Sequence, residues 1–212
     1  AGKYKFKAVK GNSDATVGNV KKTEVLWETF GTDVMPNEGD LIASTGYQNG
    51  YIYFSTAENF NNGNASIAAC NSKDVILWSW HIWFTDQPEE QVYYNNAGTM
   101  MDRNLGALNN NPSDVSNRGM LYQWGRKDPF AGPLSYNASK GSTMTLFDGD
   151  NNTVTIMAVA SDGETGNYAY TNAHPMHFVT VSDKNGQYAS YEIDGKALII
   201  SNPTGKAGTV TV

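Results

Sequence analysis

ILWSWHIWFTDQPEEQVYYNNAGTMMDRNLGALNNNPSDVSNRGMLYQWGRKDPF, residues 76–130, is the stretch on which the fold turns. Four of the five tryptophans lie in it: Trp78, Trp80, Trp83 and Trp124. It opens with strand alternation. Ile76, Trp78, Trp80, Ile82 and Phe84 fall on one face, and Leu77, Ser79, His81 and Trp83 on the other. Buried aromatics hide roughly 150–250 Å² each, so this strand must pack against something large. Trp78 and Trp80 are expected to be mostly buried, and Trp80→Ala to cost about 3–5 kcal/mol.

Upstream, short alternating runs follow one another. Residues 4–9 and 23–30 read as strands, the second with Val25, Trp27 and Thr29 on one face. Residues 40–47 and 51–56 flank Asn49-Gly50. That pair is a strong hairpin signal, because both central residues need φ > 0. Residues 65–70 and 75–84 form another expected hairpin. About six closely spaced strands in residues 1–86 predict a small antiparallel sandwich.

Downstream, 87–134 is irregular. Residues 92–94 suggest a short strand, and 119–124 fit either a helix or a strand. Strand patterns return from Thr143, at 143–147, 153–160, 178–183, 187–193 and 196–201, and they read as a β-meander. The chain starts at Ala1 without an initiating Met, as a processed chain would. It opens and closes on strand patterns. Those strands are expected either to pair inside the monomer or to exchange with another subunit.

Composition narrows the function. Charged residues are 17 % and the formal net charge is −6, with no concentrated basic patch. Nucleic acid is therefore not an expected partner. No apolar run approaches the ~18 residues needed to span a bilayer. Cys70 is the one cysteine, so no intramolecular disulfide exists.

The stretch also carries longer words. GNASIAACNSKDVILWSWHIWFTD at 63–86, GTMMDRNLGA at 98–107 and GMLYQWGRKDPF at 119–130 occur in order. With AVKGN at 8–12, EVLWETFGTD at 24–33, GDLI at 39–42 and AHPMHF at 173–178, they resemble a family of gut Bacteroidales surface proteins. These are fimbrillin-like or fimbrial-tip proteins related to the Fibrobacter succinogenes major paralogous domain. The resemblance implies a secreted or outer-membrane-anchored protein of a Gram-negative bacterium. It implies a C-type-lectin-like or formylglycine-enzyme-like second half without catalytic apparatus. The family's DPCPxGxRVP-like and WSS-type segments do not occur here.

The fold expectation is thus mainly β. An antiparallel, sandwich-like part at 1–86 continues into an irregular, lectin-like or meandering part at 87–212 with little helix. The function expected is non-enzymatic cell-surface adhesion, associated with a fimbria tip. The alternatives are a carbohydrate-binding module of a surface lipoprotein and an enzyme on the formylglycine-generating scaffold. Other pilin subunits or host and dietary glycans are the expected partners.

Candidate chemistry is sparse. Asp148, Asp150 and Asn152 have calcium-loop spacing, but Thr153 and Val159 stand where that loop needs Gly and Glu. A solvated turn is the expected role. His174 and His177 lack a spaced third ligand for zinc. No metal, cofactor or catalytic residue is expected. Asp102-Arg103-Asn104 and 125–128 read as salt-bridged ties between loop and core. As ligand contacts, Asp102, Arg103, Tyr93, Tyr94, Tyr122 and Trp124 are the candidates, since loops on a rigid β scaffold carry binding. Tyr93-Tyr94 is the expected exposed pair, and Trp124 is expected in the core.

Overall fold

The computed structural model describes residues 2–59, 61–134, 143–162 and 164–180, and the backbone of three later strands. The protein is mainly β. Its six N-terminal strands are β1 (Lys3–Lys7), β2 (Lys22–Thr29), β3 (Ser44–Gln48), β4 (Tyr51–Ser55), β5 (Gly63–Cys70) and β6 (Ile76–Phe84). They form two antiparallel sheets, β1-β4-β3 and β2-β5-β6. The β3–β4 turn uses Asn49 at φ 51° and Gly50 at φ 80°, as the Asn-Gly pair predicts.

Between the sheets lies the first core, with Ile52, Ile67, Ala65, Ala69, Leu41, Trp78 and Phe84 buried and Phe6, Phe54, Trp80 and Ile82 packed on it. Trp80 meets Phe6 edge-on at 5.2 Å. It is half-buried where Trp78 is buried. Trp80→Ala is accordingly placed at about 3 kcal/mol, the lower end of the large-to-small range, and a thermal melt unchanged from the parent would refute it.

Two bulges redirect side chains. In β2 the register shifts between Val25 and Trp27, with Val25 opposite Ile67 and Trp27 opposite Ser66. Val25 therefore joins the first core, and Trp27 turns to the sheet's other face. In β6, Trp78 pairs with Ala69 and Ile76 with Cys70, which leaves Leu77 as the extra residue. Ile76 then also faces the other side. Strict alternation put Val25 with Trp27 and Ile76 with Trp78. An inserted residue breaks that period of two.

That other face carries a second core: Leu26, Trp27, Ala68 and Cys70 beneath Met120, Met144 and Leu146, with Ile156 and Met176 partly buried against it. Every residue of β5 is buried, because both of its faces are covered. The chain continues through β7 (Glu90–Val92), β8 (Thr99–Met101), β9 (Leu121–Tyr122), β10 (Pro129–Phe130), β11 (Met157–Ala160), α1 (Tyr168–Ala173) and β12 (His177–Thr180), and the covering layer is drawn from the residues beside β9 to β12, Met120, Ala131, Leu134, Met144, Leu146, Val154, Ile156 and Met176. β7–β8 and β9–β10 are antiparallel ribbons, so the 119–124 segment contains a strand.

Glycines allow the layer to close. Gly119, at φ 72°, has no room for a side chain, because a Cβ would lie 2.4 Å from the Leu105 carbonyl oxygen. β11 and β12 run parallel, joined through α1, where consecutive antiparallel strands were expected. β13 (Ala189–Ile193), β14 (Lys196–Ile200) and β15 (Val210–Thr211) do form an antiparallel meander. Residues 184–186, between the expected strands at 178–183 and 187–193, lie outside the described residues. Both terminal strands pair within the chain, β1 with β4 and β15 with β14.

One core carboxylate makes stability depend on pH. Glu28 is buried and accepts a hydrogen bond from the Ile42 N–H at 2.8 Å. Burial pushes its pKa up to about 7, against the lowering effect of that bond. Folding therefore favours the protonated form. Glu28 costs nothing below pH 4.5, its cost grows from pH 4.5 to 7, and it is constant above. Glu28→Gln keeps the acceptor and removes the charge. Its stability relative to the parent is expected to rise by on the order of 2–3 kcal/mol between pH 4.5 and 8. Denaturation curves at the two pH values giving the same difference would refute this.

Candidate functional site

The second layer is fastened by charge. Arg103, 5 % exposed in its side chain, forms a fork with Asp102, Nε to Oδ1 at 2.9 Å and Nη2 to Oδ2 at 3.0 Å. Its Nη1 donates to Asp86 Oδ1 at 2.7 Å and Thr85 Oγ1 at 3.2 Å. Hydrogen bonds from Arg103 hold both carboxyls below the usual range. Planar bidentate pairing of this kind fixes geometry as well as charge. The pair anchors the base of the β7–β8 hairpin, where Glu89 N–H donates to Asp102 Oδ1 at 3.2 Å.

The 125–128 word fastens the other end. Arg126, 1 % exposed in its side chain, donates to the carbonyls of Thr171, His174, Pro175 and His177 around the end of α1. Asp128 is buried and accepts from Ser79 Oγ at 2.6 Å and Lys127 Nζ at 2.7 Å. Lys127 also donates to the Ser79 carbonyl and hydroxyl and sits 4.7 Å over the Trp78 ring. Burial lowers the Lys127 pKa, and Asp128 opposes that shift.

Between these two fasteners runs a neutral relay. Asn64 Nδ2 donates to the Gly106 carbonyl at 2.9 Å, which leaves its Oδ1 to accept from His81 Nε2 at 2.9 Å. His81 Nδ1 must then accept from the Tyr122 hydroxyl at 3.0 Å, a consistent neutral tautomer. Burial lowers the His81 pKa to about 4 and raises that of Tyr122 to about 12. Trp83 Nε1 donates to the Ala107 carbonyl at 3.0 Å beside it.

The six candidate contact residues fall into four places. Asp102 and Arg103 lie at the base of the hairpin. Tyr93 and Tyr94, the latter 85 % exposed, sit in its loop, held by Asn95 and Asn96 at positive φ. Tyr122 is committed to His81. Trp124 is 66 % exposed, a correction to its expected core role. The reason is local: β9 ends at Tyr122, and only Gln123 turns inward, to the Val179 backbone. No contact joins Trp124 to the hairpin tyrosines among the described residues.

Beside Asp102 and Arg103 is a polar cleft of about 270 Å³, lined by Met100, Met101, Asn104, Asn110 and Asn117 as well. Of these five, only Asn104 stood in a word singled out in the sequence for its chemistry. The run Asn109-Asn110-Asn111 was legible only as loop, since the meeting of Asn110 with Asp102 is a tertiary event. An apolar cleft of about 450 Å³ lies between Phe130, Phe178 and residues 143–156.

The other sequence candidates are placed as follows. Asp148 Oδ1 accepts from the N–H groups of Asp150 and Asn152, closing its turn on itself. His174 and His177 stack at 4.7 Å, and Tyr170 Oη meets His177 Nδ1 at 2.8 Å. Among the described residues no group of three His, Cys, Asp or Glu could hold a metal ion. Cys70 is buried and its pKa is pushed up to about 12, mainly by burial, so its thiol stays protonated. No helix of the described residues is long and apolar enough to cross a membrane.

Comparison with family models, with curated proteins and with solved structures gives no match.

Proposed function

We propose that this chain is a non-enzymatic binding module displayed at the surface of a Gram-negative bacterium, of the fimbria-tip kind. The observation that carries the reading is the β7–β8 hairpin. Its strands are exposed on both faces, and Val92, Tyr93, Tyr94, Met100 and Met101 stand in solvent. Exposed aromatic and methionine side chains on a rigidly anchored loop are the composition of a contact surface rather than of a core. The Arg103 fork supplies the anchor.

The groups that resemble catalytic machinery are enclosed. Ser79, between Lys127 and Asp128, is 2 % exposed, so its hydroxyl is not presented to a substrate. The resemblance of the 63–86, 98–107 and 119–130 words to fimbrial-tip proteins supports the same reading. Sugar binding is one form this function takes, and the polar cleft beside Arg103 favours it.

The test is binding of the labelled chain to host-cell surfaces, glycans and stalk pilins, alongside a Tyr93→Ser/Tyr94→Ser variant. Retention by at least one of these surfaces, weakened tenfold or more in the variant, is the expected result. Absence of binding to all three would overturn the proposal.

A further inference from the structure

The polar cleft at the hairpin base is lined by three asparagine amides whose oxygens are unused. Asn104 Nδ2 donates to the Arg118 carbonyl at 3.3 Å, Asn110 Nδ2 to Asp102 Oδ2 at 2.8 Å, and Asn117 Nδ2 to the Asn111 carbonyl at 2.6 Å. Each amide thus gives one of its two N–H groups to the protein, and the acceptor it turns to fixes which atom is nitrogen. The three Oδ1 atoms accept nothing among the described residues. The cleft therefore offers a ligand three amide oxygens, each beside a second amide N–H.

Charge narrows the ligand further. Asp102 has both oxygens occupied, by Arg103, the Glu89 N–H and Asn110. No free carboxylate remains for a hard cation, which would find neutral oxygens next to a guanidinium. Arg103 in turn is forked to Asp102 and bonded to Asp86, so it has no strong pull on an anion. A neutral ligand rich in hydroxyls, which both donate and accept, remains. Met100, which lines the cleft and is 62 % exposed, supplies adaptable apolar contact suited to the C–H face of a sugar ring. The volume, about 270 Å³, lies just under the ~300 Å³ at which drug-sized pockets begin, which suits a single ring.

We infer that this cleft is a subsite for one ring of a neutral glycan, with Asn104, Asn110 and Asn117 accepting from its hydroxyls and Met100 covering its apolar face. The inference rests on the surface-binding reading and names its ligand class.

The full chain is screened on an array of neutral, sialylated and sulfated glycans, and the best neutral hit is titrated calorimetrically. Asn110→Ala and, separately, Met100→Ala are titrated against the same glycan, with near-ultraviolet circular dichroism recorded for each. Should Asn110→Ala lose the native spectrum, Asn104→Ala takes its place. The expected result is binding of a neutral glycan that persists in 0.5 M salt and in EDTA, weakened at least tenfold by the asparagine variant and several-fold by Met100→Ala. Full affinity in both variants, or binding confined to charged glycans and abolished by salt, would overturn the subsite. Adhesion to cells or pilins without any glycan binding would overturn it too, and would leave the surface-binding reading standing. Binding to nothing would overturn both.

Discussion

Arg126→Leu is expected to lower the unfolding free energy by about 3–5 kcal/mol, the range for breaking a buried charged group out of its partners. For a chain of this size that is a fall in melting temperature of roughly 6–20 °C. Leucine fills much of the volume but carries none of the donors. The carbonyls of Thr171, His174, Pro175 and His177 would lose their shared partner; that of His174 still accepts from the His177 N–H, and each buried acceptor left without a partner costs about 1–3 kcal/mol. The stacking of the guanidinium over Phe130, at 5.0 Å, would also be lost. Lysine should rescue less than half of the deficit, because one ammonium cannot span carbonyls that a planar fork reaches together. Trp124→Ala, two positions earlier and exposed, is the control and should stay within about 0.5 kcal/mol. An Arg126→Leu protein that melts with the parent would show that the end of α1 is held by something else.

Trp27→Ala is expected to cost about 3–5 kcal/mol as well, by opening a cavity in the second core. Trp27 is 2 % exposed and packs with Leu26, Met120, Met144 and Leu146. This core is what attaches residues 119–134 and 143–156 to the β2-β5-β6 sheet, so its loss should act on the layer before the sandwich. Limited proteolysis should cut the variant within 103–134 at protease concentrations that leave the parent whole, while the first core keeps its protection. Unchanged chemical denaturation together with an unchanged cleavage pattern would remove the second core from the account.

Acid should act through a separate group. The folded-state pKa of His81, about 4, lies below the ordinary value of 6.5. Its contribution to stability is present above pH 6.5 and is lost as pH falls towards 4. Glu28 has the opposite slope from pH 4.5 to 7, so the two largely offset each other in that window. Glu28→Gln should uncover the His81 slope as a loss of stability on acidification from pH 6.5, a change readable in the same denaturation series.

The six N-terminal strands were legible from alternation and turn chemistry alone. Asn49-Gly50 needs positive φ at two successive residues, and few other dipeptides supply that cheaply. The Asp148 turn was legible for a similar reason, since a short carboxylate reaches its own following N–H groups. These are interactions between residues a few positions apart, so their information is local and survives in a linear reading.

What alternation could not show is where a strand inserts an extra residue. Leu26 and Leu77 look like ordinary members of their runs, yet each is a bulge, and each sends a large side chain, Trp27 or Ile76, to the opposite face. The bulge is decided by the partner strand and by the second layer that receives the side chain. The polar cleft is of the same kind. Asn110 and Asn117 are plain loop residues in sequence; Arg103 was legible as an ion-pair tie, but its partner Asp86, seventeen positions away, was not. Arg126 shows the rule most fully, with carbonyl partners 45 to 51 positions distant. Strand identity is set by near neighbours and could be read from the chain. Face, bulge and cleft are set by contacts across the sheet, whose energies belong to the packed whole and have no period in the sequence.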